Sequence, residues 1–140
     1  GKMFKLRVAT LAVLLAACSP PPPTERAEAA QQIRETIATQ RPTCSNHRTD
    51  GSSSADHLLT HCYEQEREWL TVMIGAARSE IEVRDQSALQ RQFAQLEVEH
   101  EAAVRKCEQA PVTDSVTLLN REECLTFAAD RLLSRSVSLL

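Results

Sequence analysis

From Ala55 to the end of the chain, apolar residues recur three or four positions apart and nowhere alternate long enough to read as a strand. That spacing puts them on one face of a helix, so the chain can bury apolar surface only by laying helices against one another. The strongest stripe is Leu59, Cys62, Tyr63, Trp69, Leu70, Met73, Ile74, Ala77 and Ile81, which predicts the principal core helix, capped by Ser54. Gly75 lies in its middle and reads as the place where another helix crosses closely. The stripe loses phase around Asp85 to Ser87, then resumes as Leu89, Phe93, Leu96, His100, Ala103, Val104 and Cys107. No Gly or Pro marks that break, which leaves a hairpin and a continuous rod open. A hairpin is expected, because a monomeric rod of that length has little to pack against. Ala110-Pro111 ends this third helix, and Thr113, Asp114 or Ser115 caps a last one carrying Leu118, Leu119, Leu125, Phe127, Ala128, Leu132 and Leu133. Upstream, Thr24 opens a thin, Ala-rich helix to about Gln40, which either docks on the others or extends the linker before it.

Ahead of these helices, Lys2, Lys5 and Arg7 precede an apolar run from Val8 to Ala17, well short of the roughly 20 residues a membrane span needs. A cationic start, a short apolar core and small residues at its end make a secretory signal. Leu15-Ala16-Ala17-Cys18 resembles the lipobox of bacterial lipoproteins. The resemblance implies that residues 1–17 are removed and that Cys18 is diacylated and anchors the chain. Ser19, rather than Asp, after the cysteine implies by the same resemblance an outer-membrane lipoprotein facing the periplasm or the surface. Residues 18–23 are then the lipidated cysteine and a stiff polyproline spacer, Pro20 to Pro23, and residues 24–140 a single domain.

Export also decides what the other cysteines do. Of five, Cys18 goes to lipid, and the remaining Cys44, Cys62, Cys107 and Cys124 are an even set in an oxidising compartment. Three pairings are open to them. Cys44 with Cys62 and Cys107 with Cys124 are expected, since each pair brackets one loop and the helix entry after it; the rival, Cys62 with Cys107, needs the two long helices side by side. Bridges of that size contribute about 3 kcal/mol each. The expected fold class is therefore all-α, a small disulfide-stapled helical bundle of three long helices plus an N-terminal one.

The signal holds three of the sixteen basic residues and none of the nineteen acidic ones, leaving thirteen against nineteen, a formal −6. That balance speaks against a nucleic-acid partner, which needs a basic face. It suits a cationic protein, or simply keeps the domain soluble. Cys44-x2-His47 with His57-x3-His61 is the nearest approach to a metal signature, but Leu58 stands where a zinc-protease helix carries its general base. In an exported chain disulfides claim those cysteines, so no metal or other cofactor is expected, and a metal-binding periplasmic protein is a minor alternative. Ser52, Ser53 and Ser54 have no positioned base, and Glu64, Glu66, Glu68, Glu97, Glu99 and Glu101 alternate, which spreads them over solvated surface. His100 falls in phase with its stripe and reads as a partly buried, hydrogen-bonded histidine. No enzyme is expected.

The order Cys44, Cys62, long helix, Cys107, Cys124, followed by a helix with Arg131 and Arg135, resembles the LprI-type lysozyme-inhibitor domain family. The resemblance implies a non-enzymatic envelope lipoprotein that binds a protein in the periplasm: an inhibitor or immunity protein against a lysozyme-like, cationic peptidoglycan hydrolase. Within the loop from Arg41 to Ser54, the stretch Cys44 to Ser54 is the expected contact, through Asn46, His47, Arg48 and Asp50. The alternative is a pilotin-like chaperone for an outer-membrane secretion component, holding a partner helix in an apolar groove lined by residues such as Trp69, Met73 or Phe93.

Overall fold

The computed structural model describes residues 24–44, 47 and 49–140; the expected signal, the Cys18 anchor and the proline spacer lie outside them, as do Ser45, Asn46 and Arg48. Four helices account for nearly all of the described chain, and the described residues contain no strand: α1 (Glu25–Gln40), α2 (Ser53–Glu82), α3 (Ser87–Glu108) and α4 (Ser115–Leu139). Each start has a chemical reason. Thr24 caps α1 by accepting from the Ala27 N–H at 3.1 Å, with Glu25 and Glu28 against the positive end of the helix dipole. Asp114 opens α4 in a reciprocal capping box with Thr117. The α2 cap is Ser52, two residues before the expected Ser54, and accepts from Ala55 N–H at 3.2 Å. All three consecutive serines satisfy cap chemistry, so loop geometry rather than residue type makes that choice.

The second and third helices form a hairpin through Val83 to Gln86, and Arg78 reaches back across it to Glu97 at 2.9 Å with its guanidinium over the Phe93 ring. α4 packs against all three others. Ser115 meets Asp56, the Thr126 hydroxyl reaches the Tyr63 carbonyl, and Leu139 packs near Ile81, so α2 and α4 run in the same direction. α3 and α1 run opposite to them, as Glu99 against Arg135 with Cys107 against Cys124, and Arg26 against Leu139 with Arg41 against Asp130, require. The main core is Leu70, Met73, Ile74 and Ala77 of α2 against Leu132, Leu133 and Val137 of α4, closed by Leu96 and by Ala30 and Ile33. Both expected disulfides are present, with Cα separations of 5.8 Å for Cys44–Cys62 and 5.6 Å for Cys107–Cys124.

α1 buries only Ala29, Ala30 and Ile33, too little apolar area to hold it by itself. Arginines fasten it at both ends. Arg26 donates to the Leu139 carbonyl and to Gln86, and Arg41, just past the last turn, donates to Glu66 and Asp130. Burial alone would lower the Arg41 pKa, but the hydrogen bonds to Glu66 and Asp130 outweigh it and raise it. Glu66, expected on solvated surface, is 3 % exposed, because position 66 falls inside the buried stripe that runs through Tyr63 and Leu70. Its charge is carried inward only because Arg41 meets it.

Gly75 does not mark a helix crossing: a Cβ placed there would have no neighbour within 4 Å. Gly75→Ala therefore removes backbone freedom from the unfolded chain without a clash, and should raise stability by about 0.5–1 kcal/mol in urea denaturation.

Candidate functional site

The end of the bundle where α2 and α4 begin is organised by one buried carboxylate. Asp56 is 2 % exposed, accepts from the Thr49 hydroxyl at 2.8 Å and from the Ser115 hydroxyl at 3.1 Å, and so ties the loop to both helix starts. It sits in the first turn of α2 and beside Ser115, the first residue of α4. Below it, Cys44 and Tyr63 pack with Leu119, and the disulfide holds the loop onto α2. Burial, and then the neighbouring Glu123 carboxylate, push the Tyr63 phenol pKa up.

Turn chemistry completes the loop. Asp50 accepts the Ser52 backbone N–H at 2.9 Å, Thr49 accepts that of Gly51, and Gly51 takes φ +83°, a conformation that side chains rarely adopt. His47 and Asp50, two of the expected contact residues, stand exposed on this held loop, whereas Asn46 and Arg48 lie outside the described residues. Sequence reasoning missed Leu58. It is 74 % exposed and, with His47, Ala55, Leu59 and Cys62, lines a hollow of about 300 Å³ beside the disulfide. The available signal was an apolar residue one step off the buried stripe.

Two carboxylates at these helix starts titrate below the ordinary carboxylate range: Asp50 through the Ser52 hydroxyl and N–H, and Asp114 through the Thr117 N–H and hydroxyl. A depressed folded-state pKa contributes stability that is present above the unfolded value and lost as pH falls through the folded one. The urea midpoint should therefore hold from neutrality down to about pH 4 and fall below it. Asp50→Asn and Asp114→Asn should each flatten that acid limb.

His57 and His61 do not converge with the cysteines. His57 and His61 point outward from α2, where His61 lies 3.7 Å from Glu64, while the Cys44 and Cys62 sulfurs are bonded to each other. Among the described residues no three His, Cys, Asp or Glu side chains are placed to hold a metal ion.

A second concave surface runs along the bundle. Beyond the Arg78 to Glu97 bridge, α2 and α3 diverge and leave a groove of about 490 Å³ floored by Leu125, Ala129 and Leu132 of α4. Arg67 stands on its α2 wall, Glu101 and Glu108 on its α3 wall. Arg67 also lies 2.6 Å from the buried Glu122, an ionic contact whose angle does not meet hydrogen-bond geometry. Met73 and Phe93, expected to line a groove, are instead buried core residues, and Trp69 packs against the core. Their stripe faces α4 and the hairpin end, not the opening between the walls.

No protein-family model, curated protein or solved structure matches the chain. Among the described residues no helix is long and apolar enough to cross a membrane.

Proposed function

We propose that this chain is a non-enzymatic, lipid-anchored protein of the bacterial envelope that binds and inhibits a cationic peptidoglycan-cleaving enzyme through the loop end of its bundle. The observation that carries the reading is the double fastening of that loop, by the Cys44–Cys62 bridge and by Asp56, with His47, Asp50 and Leu58 left facing outward. Contact residues fastened before binding, as Cys44, Thr49 and Asp50 are, lose little entropy on docking, which is how inhibitors gain affinity. Leu58, exposed in the second turn of α2 beside His47, offers an apolar contact flanked by polar groups for insertion into a substrate cleft. The acidic balance of the chain adds electrostatic attraction to a cationic target. The lipobox-like Leu15 to Cys18 segment supports placement at the outer membrane, where such a target is met.

The test is a cell-wall turbidity assay with a Cys18→Ser chain in excess over a panel of cationic peptidoglycan hydrolases. At least one enzyme should be inhibited, and Leu58→Asp should relieve the inhibition by tenfold or more without loss of helicity, as truncation of a central interface residue does. Full activity of every enzyme in the panel would contradict the reading. The groove favours one other reading, a pilotin-like carrier that holds a helix of an outer-membrane secretion component, because its floor is apolar and its walls carry opposite charges.

A further inference from the structure

On the side of His100 away from that groove, α3 and α4 enclose a smaller hollow of about 280 Å³. It exists because Ala103 and Ala128 face it from the two helices, one turn from the Cys107–Cys124 bridge that holds the helices together. The buried Leu96 and Leu132 supply an apolar floor.

The polar groups around it do not balance. Arg131 and Arg135 lie one turn apart on α4, and the single carboxylate in the wall, Glu99, is already bound by Arg135. Arg131 has no ion-pair partner among the described residues, so a chain of acidic balance carries a local positive site here. The His100 Nδ1 is buried with no hydrogen-bond partner among the described residues. That nitrogen is sealed from solvent, so it is the rest of the His100 side chain that borders the hollow.

We propose that this hollow binds a small organic carboxylate, with the carboxylate on the Arg131 guanidinium beside the His100 side chain, and a short apolar body on Leu96 and Leu132. A planar carboxylate matches the guanidinium fork, whereas a dianion would meet Glu99. The volume lies just below the range of about 300–1,000 Å³ usual for drug-sized ligands, which sets the small size. The site is separate from the loop end and stands or falls independently of the proposed inhibition.

The experiment is calorimetric titration of the mature chain with octanoate, 1-octanol and acetate, together with ¹⁵N spectra of the histidine rings. Octanoate should bind saturably and shift the His100 ring resonances. Octanol, which lacks the charge, and acetate, which lacks the body, should each bind at least about tenfold more weakly. Arg131→Gln, at an exposed position, should weaken octanoate by about tenfold or more with the thermal midpoint unchanged, and Ala128→Leu, which fills the hollow, should abolish binding. If Ala128→Leu does not fold, Arg131→Gln decides the matter. Octanol binding as tightly as octanoate, unchanged affinity in Arg131→Gln, or unmoved His100 signals would each overturn the assignment.

Discussion

Replacing Cys44 and Cys62 together by alanine should lower the unfolding free energy by about 3 kcal/mol or more, and the melting temperature by roughly 10 °C. The bridge closes 18 residues of sequence, and its loss returns that loop-closure entropy to the unfolded chain. Cys44 is fully buried with Tyr63 and Leu119, so its truncation also leaves a void. Cys124, by contrast, is exposed, and the matched replacement of Cys107 and Cys124, closing 17 residues, should cost less. Thermal melts of the two double variants, each beside the reduced parent, test this ordering. The first variant should also lose inhibition by more than its stability loss accounts for, since the loop end is no longer held.

Arg41→Ala should destabilise by about 3 kcal/mol, the lower end of the range for removing one partner of a buried ion pair. Glu66, with a 4 % exposed side chain, would be left buried without its cation, while Arg41 at 26 % is partly screened already. The same change unpins α1, so hydrogen exchange in Glu25–Gln40 should quicken while that of α4 tracks global unfolding. Combining Arg41→Met with Glu66→Met should recover most of the loss, because neither charge is then buried alone. If the double variant is no better than Arg41→Ala, packing of the arginine stem rather than charge explains the site.

Helix spans, most caps, the hairpin and the disulfide pairing were legible in the sequence, since local chemistry and apolar spacing decide them. The stripe through Tyr63, Leu70, Met73 and Ile81 is self-announcing; its inclusion of Asp56 and Glu66 is not. Apolar spacing treats a carboxylate as surface, and whether it is buried depends on a donor that comes from elsewhere: Arg41 for Glu66, 25 residues away, and Ser115 for Asp56, 59 away. Glu122 and Arg67 repeat the case. The loop was legible as a functional candidate from its length and polar composition, but Leu58 became visible only once the phase of α2 was known. The groove and the hollow at His100 were beyond sequence reading, because the groove arises where α2 and α3 splay over α4 and the hollow where small residues of α3 and α4 face each other, which no single helix encodes.

The most direct measurement is photo-crosslinking in intact envelopes from the full chain, with the reactive group in place of Leu58 in one strain and of Thr71 or Glu101, which line the groove, in others. A crosslinked peptidoglycan-cleaving enzyme from position 58, with no product from 71 or 101, is expected. Crosslinks from the groove positions to an outer-membrane assembly subunit, with position 58 silent, would contradict inhibition through the loop end and put the carrier reading in its place.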